Sequence, residues 1–366
     1  MMKNALLHNL EFYKGKHILV TGHTGFKGAW LTAILNYMGA NSAGYAFAPE
    51  PGSLYEKIRG DELIHNVTGD LLDYSFLEKT VRDFQPEIVF HLGAFGFVKE
   101  CFHDPVRAYH TNLIGSMNLL EALRTCSSVK SIVMVSTDKV YDNKGDGTIY
   151  CEQDALGGSD AYSCSKVCME LMVKDYRQSY FQTDNRMTGI AVVRTSNVLA
   201  GGDHIQTRLI PSILKAAAEG TTVELRNPKQ TRPWQSVLDA LNGYLAVARL
   251  LYDNPAEYSE EWNIGPTQEG IRTVSWIFEK MRSSFEGLEG IDGQHFAVAE
   301  SEKLGLSIQK ALDRLDWKPI LSCEQVVKQV VDFFKRQEAG ESERQICLRQ
   351  IKDFYGGCYD ETKLGM

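Results

Sequence analysis

From residue 16 to about residue 200, short and nearly continuous apolar runs alternate with longer amphipathic stretches. The runs at 18–21, 41–45, 64–68, 88–92, 131–136 and 189–194 have strand length, and most are rich in valine and isoleucine. Between them, residues 27–39, 74–84, 104–125 and 162–181 carry helical spacing. Strands that are apolar on both faces, each followed by a helix, predict a doubly wound α/β fold with a parallel sheet covered on both sides. After Asn197 the rhythm breaks: Gly201-Gly202-Asp203 and Arg226-Asn227-Pro228 are loop signals. A helix over 238–251 and a late strand at Trp262-Asn-Ile-Gly-Pro266 predict a return to the sheet. Residues 1–200, completed by about 233–266, thus form one domain, and 201–232 with 267–366 form a smaller mixed lobe and tail. The tail, with Glu341, Glu343, Arg344 and Lys352, predicts a surface helix and a loose end.

Composition narrows the classes. The 366 residues are 43% hydrophobic and 23% charged, enough apolar material for a core. A net charge of -8 without a dense basic block argues against nucleic acid as a partner. A nucleotide-sized anion remains compatible, since it needs only a few local donors. The first twenty residues carry Lys3, Glu11, Lys14 and Lys16 and lack a signal-peptide core. No run of about 18 apolar residues is present. The expectation is a cytoplasmic protein with no membrane partner. Eight cysteines are scattered, and only Cys164 and Cys168 are closely spaced. With His91, His103 and His110 too irregular for a compact ligand set, the expectation is no metal, and thiols that are reduced and partly buried.

Glycines at 22, 25 and 28 follow the first strand and open the first helix. The first permits a tight turn, the second a close approach of backbone to pyrophosphate, and the third close packing of helix on sheet. The helix N-terminus then offers free N–H groups and partial positive charge. Bare glycine spacing is also that of an ordinary turn. The strand–turn–helix setting makes it a dinucleotide site of Rossmann type. The second strand ends Gly44-Tyr-Ala-Phe-Ala48 without the acid that usually binds the adenosine ribose, and Glu50 comes late. No Arg or Lys is close by to meet a 2′-phosphate, so NAD is expected rather than NADP. Asp70, after the third strand, reads equally as a contact to the adenine amino group and as a helix N-cap.

Tyr162 and Lys166 are four apart and share a helix face. A phenol with a pKa near ~10 is a poor base at neutral pH. A nearby ammonium favours the phenolate, which then takes a hydroxyl proton as hydride leaves the adjoining carbon. The spacing alone is common. Its place downstream of the glycine loop, just after Ser136-Thr137, points to catalysis.

These motifs resemble the extended short-chain dehydrogenase/reductases over residues 16 to about 266. Within them the chain is most similar to the nucleotide-sugar 4,6-dehydratases, and nearest to the branch acting on CDP-glucose. The resemblance is carried by Gly22-His-Thr-Gly-Phe-Lys-Gly28, Thr137-Asp-Lys-Val-Tyr-Asp-Asn143, Leu156-Gly-Gly158 and Tyr162-Ser-Cys-Ser-Lys166. Gly201-Gly-Asp203, Arg208-Leu-Ile-Pro211, Arg226-Asn-Pro228 and Arg232-Pro-Trp-Gln235 add to it.

The resemblance implies NAD held by Gly22, Thr24, Gly25, Phe26, Gly28, Asp70, Leu71, Leu92, Ala94, Asn112, Tyr162 and Lys166. It implies a nucleotide sugar held by Asn197, Arg208, Leu209, Asn227 and Arg232, where arginine forks suit phosphate oxygens. Thr137 would bond the sugar near its 4-hydroxyl. Tyr162 would remove that proton while hydride passes from carbon 4 to NAD. Lys139 would take the proton from carbon 5, and Asp138 would protonate the departing 6-hydroxyl. Hydride then returns to carbon 6, giving a 4-keto-6-deoxy sugar, here CDP-4-keto-6-deoxyglucose from CDP-glucose. An amine near ~10.4 acts as a base only when burial or positive neighbours depress it, so a plain Lys139–Asp138 salt bridge stays an open reading.

The family commonly reads His-Leu-Ala-Ala-Gln-Pro-Leu-Val-Arg after the fourth strand, whereas this chain reads His91-Leu-Gly-Ala-Phe-Gly-Phe-Val-Lys99. A dehydratase of another nucleotide sugar, a nucleotide-sugar 4-epimerase and a non-catalytic NAD(H)-binding protein are the alternatives. Asp138-Lys139 speaks against the epimerase, and the retained Tyr162 and Lys166 speak against the last. Family analogy further implies deoxysugar precursors for surface polysaccharide. It also implies a homodimer or dimer-based tetramer formed through the 104–125 and 162–181 helices.

Overall fold

The computed structural model describes residues 2–183, 186–293 and 304–356. Seven strands form one parallel sheet: β1 (His17–Thr21), β2 (Asn41–Ala46), β3 (His65–Thr68), β4 (Ile88–His91), β5 (Ser131–Val135), β6 (Gly189–Thr195) and β7 (Glu261–Ile264). Their order is β7-β6-β5-β4-β1-β2-β3. The chain builds outward from β1 to β3, then crosses to β4 and builds the other way. The carboxyl ends of β1 and β4 therefore splay where their loops part, which is where such sheets open a crevice. β4, β5 and β6 are buried along their whole length, as their unbroken apolar runs require.

Helices cover both faces. One face carries α1 (Met2–Tyr13), α2 (Phe26–Tyr37) and α7 (Val237–Asp253). The other carries α3 (Tyr74–Phe84), α4 (Ser116–Arg124) and α5 (Ala161–Tyr176). Among the described residues, three further helices have eleven residues or more: α6 (Leu209–Glu219), α8 (Cys323–Glu338) and α9 (Glu343–Phe354).

Three expectations need correction. The stretch 104–125 is not one helix. Asp104 caps a new start by accepting Arg107 N at 3.0 Å, Pro105 takes the first helical position, and a π-helical turn, His110–Gly115, precedes α4. Likewise α5 ends in a π turn, Arg177–Phe181. The tail helix α9 is no mere surface element: Ile346, Cys347, Ile351 and Phe354 are buried in the same core as α2. Residues 357–366 lie outside the described part. The N-terminal helix α1 was not anticipated, although Leu6, Leu10 and Tyr13 have helical spacing; Tyr13 Oη donates to Leu245 O at 2.6 Å.

A separate apolar cluster joins Ile210, Ile213, Trp234, Ile277, Phe278, Val326 and Val330 over the carboxyl ends of the strands. It is framed by a three-stranded sheet of Asn197–Leu199, Thr231–Ser236 and Ile271–Thr273. Asp239 on α7 ties this lobe down: Oδ1 accepts Ile320 N at 2.7 Å and Oδ2 accepts Leu321 N at 3.1 Å.

Candidate active site

A cleft of about 950 Å³ lies between the sheet's carboxyl edge and the lobe. Of the residues singled out in the sequence, Gly22, Gly25, Phe26, Gly28, Leu92, Ala94, Thr137, Asp138, Lys139, Tyr162 and Lys166 line it. So do Asn197, Arg208, Leu209, Asn227 and Arg232. Residues from seven separate stretches of chain thus meet in one space. Thr24, Asp70, Leu71 and Asn112 do not line it.

The glycine loop is shaped by close approach. Gly22 sits at φ +72°, and a Cβ there would come within 2.6 Å of Gly93 N; at Gly28 it would overlap the Gly22 carbonyl. No side chain caps the N-terminus of α2, whose first residues line the cleft. Free N–H groups beside a loop without side chains fit a dinucleotide pyrophosphate. Thr24 Oγ1 donates to Phe47 O at 3.1 Å and fastens the loop to the end of β2. Asp70 does not cap a helix. Its Oδ1 accepts Leu72 N at 2.9 Å in a local turn, and the cap of α3 is Asp73. Leu71 fills the space between Gly93 and Gly115. Asn112, in the π turn, accepts Phe95 N at 2.8 Å and donates to Phe95 O at 3.1 Å and Ser165 Oγ at 2.9 Å. It anchors the atypical segment from below.

The reactive groups cluster at the end of β5. Thr137 Oγ1 donates to Asp138 Oδ1 at 3.2 Å and accepts Lys139 N at 3.3 Å, capping the short turn Asp138–Val140. Asp138 is 2% exposed, and its Oδ2 has no partner. Burial pushes its carboxyl above the usual range, against the pull of Lys139, Thr137 and Arg232. A neutral carboxyl with one free oxygen can donate a proton. Tyr162 sits on the first turn of α5, capped by an Asp160–Ser163 box, with its phenol in hydrogen-bonding reach of Thr137. Burial raises the phenol above its ordinary value. Burial also draws the Lys166 ammonium down to about 8, with Glu170 opposing the fall and Lys27 adding to it.

Behind these groups lies a network that the sequence did not reveal. Glu170 Oε2 pairs with Arg194 Nη2 at 2.7 Å, and both side chains are 3% exposed. Ser136 Oγ donates to Glu170 Oε1 at 2.5 Å. Arg194 Nη1 continues to Tyr141 Oη at 2.9 Å, which donates to Asn263 Oδ1 at 2.7 Å. The pair locks α5 to β6, and Ser136 ties it to the end of β5, next to Thr137. Glu170 follows Lys166 at helical spacing, the one hint available in sequence. Its partner on β6 is set by sheet order. Among the described residues no three metal-binding side chains come together, and no helix is long and apolar enough to cross a membrane.

Comparison with known proteins gives consistent findings. Residues 19–330 match the family model described as GDP-mannose 4,6 dehydratase. The chain is 38% identical over 350 residues to CDP-glucose 4,6-dehydratase of Salmonella typhimurium, covering 94% of this chain and 97% of that protein. Among solved structures it is similar to the epimerase Mth375 of Methanothermobacter thermautotrophicus. There the TM-score is 0.78 at 23% identity, over 91% of this chain and 96% of that one. It is also similar to dTDP-glucose 4,6-dehydratase of Bacillus anthracis in complex with NAD. That match has a TM-score of 0.73 at 21% identity, over 89% and 98% of the two chains. At such identities these two likenesses establish the fold alone.

Proposed function

We propose, for a chain that belongs to the GDP-mannose 4,6-dehydratase family, the NAD-dependent dehydration of a nucleotide hexose to its 4-keto-6-deoxy form. The substrate is CDP-glucose and the product CDP-4-keto-6-deoxyglucose, a hydro-lyase reaction. The 38% identity to a CDP-glucose 4,6-dehydratase over nearly the whole chain supports this choice of nucleotide.

Gly22, Gly25 and Gly28 with the first turn of α2 hold the pyrophosphate of NAD. Leu92 and Ala94 flank its nicotinamide end; Thr24, Leu71 and Asn112 brace the segments that form the pocket, and Asp70 meets the adenine amino group. NAD, when bound, supplies a reversible hydride store between carbons 4 and 6 of the sugar. Thr137 orients the sugar 4-hydroxyl, and Tyr162 removes its proton. Burial raises the Tyr162 phenol; the Lys166 ammonium and the positive nicotinamide of bound NAD would offset that and favour the phenolate. The ketone formed at carbon 4 acidifies the proton on carbon 5, which Lys139 takes. Asp138, kept neutral by burial, gives its proton to the 6-hydroxyl, which leaves as water; once hydride has gone to carbon 6, Lys139 returns its proton to carbon 5, and the proton Tyr162 took from the 4-hydroxyl balances the one Asp138 gave up. Asn197, Arg208, Leu209, Asn227 and Arg232 grip the nucleotide and its phosphates.

The observation that carries this reading is Asp138: a buried carboxyl with an unpartnered oxygen, next to Lys139 and across from Tyr162 in one cleft. A 4-epimerase has no use for such an acid. The test is a product assay with NAD⁺ and CDP-, dTDP-, UDP- and GDP-hexoses followed by mass spectrometry. Loss of one water from CDP-glucose, without net NADH, is the expected result. Unchanged mass with inverted stereochemistry would make the protein an epimerase instead.

We also infer a homodimer or dimer-based tetramer. Val106, Leu171 and Tyr180, all well exposed, leave apolar surface on the 105–124 and 161–181 segments, which pack side by side. Light scattering of the wild type and of Leu171→Asp measures the assembly directly. The product is of the class consumed by reductases and transaminases that build deoxysugars for surface polysaccharide in the cytoplasm.

A further inference from the structure

We propose that Phe97 is a positioning residue for the nucleotide diphosphate, acting by holding the Arg208 guanidinium against its ring. This rests on the reading of Arg208 as a phosphate contact.

Phe95-Gly96-Phe97 is the part of the chain that departs from its family's pattern, and the structure gives each ring an arginine. The Arg107 guanidinium lies 4.5 Å from the centre of the Phe95 ring, and that of Arg208 lies 4.8 Å from the centre of Phe97. The backbone beneath both rings is anchored. Asn112 clamps both the N–H and the carbonyl of Phe95, and the Cys101 thiol donates to the same carbonyl at 3.3 Å. The Phe97 carbonyl accepts Cys101 N at 2.8 Å and opens the helix Val98–His103. Phe97 is therefore a fixed platform reaching out from the sheet domain.

Arg208 comes from the opposite wall, at the N-terminus of α6 in the lobe. One N–H of its guanidinium donates to Asp203 Oδ2 at 2.9 Å. An aromatic face holds a guanidinium by its flat side and uses none of its five N–H donors. The in-plane donors not taken by Asp203 stay available for a bidentate phosphate contact. A second carboxylate in place of Phe97 would consume those donors and compete with the phosphate. The Arg208 side chain is 41% exposed, so without the ring it would lose orientation to solvent. Leucine, which the family has here, offers the stem packing but no quadrupole. The stack also joins the two walls of the cleft.

The test uses the full chain saturated with NAD⁺. Whichever of CDP, dTDP, UDP and GDP the wild type binds most tightly serves as probe, alongside its nucleoside, by calorimetry. Phe97→Leu should weaken the nucleoside diphosphate about 2- to 5-fold, the size of a cation–π contact at a half-exposed site. Nucleoside and NAD⁺ affinities should hold, KM for the sugar nucleotide should rise with the same factor, and kcat should move less. Phe97→Trp should restore the affinity. Arg208→Ala separates the two readings. If it weakens the diphosphate while Phe97→Leu binds like wild type, Phe97 has no positioning role and the Arg208 contact stands. If Arg208→Ala binds the diphosphate as well as wild type does, the phosphate reading of Arg208 fails and the role of Phe97 with it. Equal losses of nucleoside and diphosphate affinity in Phe97→Leu would reduce the ring to a structural part and overturn the proposal.

Discussion

The two walls of the cleft are built on opposite principles. The wall at the end of β5 sets Thr137, Asp138, Tyr162 and Lys166 on a buried framework of Ser136, Glu170, Arg194, Tyr141 and Asn263. Each member of that framework is held by at least one direct hydrogen bond. The opposite wall sets Arg208 on a rim where one carboxylate and one aromatic face hold a side chain that is still 41% exposed. Proton transfer tolerates little displacement of donor and acceptor, so its groups need a dry, over-determined frame. Gripping a flexible diphosphate tolerates more, and a rim that water reaches can exchange one partner for another. Damage to the first wall should therefore cost orders of magnitude, and damage to the second a small factor.

The largest effect should come at Tyr162. Tyr162→Phe should cut kcat by about 10²- to 10⁴-fold, the usual worth of a positioned acid or base, while NAD⁺ still binds with a far smaller loss. Asp138→Asn and Lys139→Met should reveal which step they serve. Oxidation at carbon 4 continues while elimination stalls, so reduced nicotinamide should accumulate and be visible by its absorbance. A Lys139→Met enzyme that dehydrates at the full rate would leave Lys139 as the plain salt-bridge partner of Asp138.

Next in size is the framework itself. Glu170→Ala leaves the Arg194 charge buried without its carboxylate, and such a loss costs about 3–5 kcal/mol. A fall of that order in chemical denaturation should accompany the loss of activity. If activity falls while stability holds, Glu170 acts on Lys166 rather than through Arg194.

Asp239 lies at the joint between the walls, on α7 beneath residues 320–321. Burial pushes its carboxyl up to about 7, against two backbone N–H bonds. The folded chain then holds a proton that the unfolded chain, near the ordinary 3.8, has released. The resulting stability is fully present below about pH 4 and lost as pH rises towards 7, falling steadily across that window. Asp239→Asn should flatten that part of the stability profile, read as melting temperature against pH. The smallest effect should be at Arg107→Ala. Removing the stack on Phe95 at a surface residue should cost about 0.5–1 kcal/mol and leave kcat unchanged.

Legibility in the sequence followed the range of the forces involved. β1, β4, β5 and β6 were readable because the central strands of a parallel sheet need near-continuous apolar runs, the mixed runs of β2, β3 and β7 were readable from their place in the chain's rhythm, and the glycine loop was readable because the close approaches at Gly22 and Gly28 exclude side chains. Tyr162 and Lys166 were readable because one helix turn brings them together. The break in 104–125 was less so, since Pro105 was visible while the π turn at Asn112 answers to Phe95 and Ser165 from elsewhere in the chain. Helix α1 and tail helix α9 carried apolar positions at helical spacing, but nothing local distinguished a surface stripe from one sealed against the main core.

What the sequence determined by itself is therefore periodic or local: the strand–helix alternation, the pyrophosphate turn, the acid–lysine pair at 138 and 139, and the tyrosine–lysine face of α5. What only the tertiary structure decided is which distant groups share a desolvated space. The Glu170–Arg194 pair and the Phe97–Arg208 stack join elements set side by side by sheet order and lobe closure, and the same enclosure buries the unpartnered oxygen of Asp138. Their energies come from burial and from contacts between residues 24 or more positions apart, and neither is encoded at any single position.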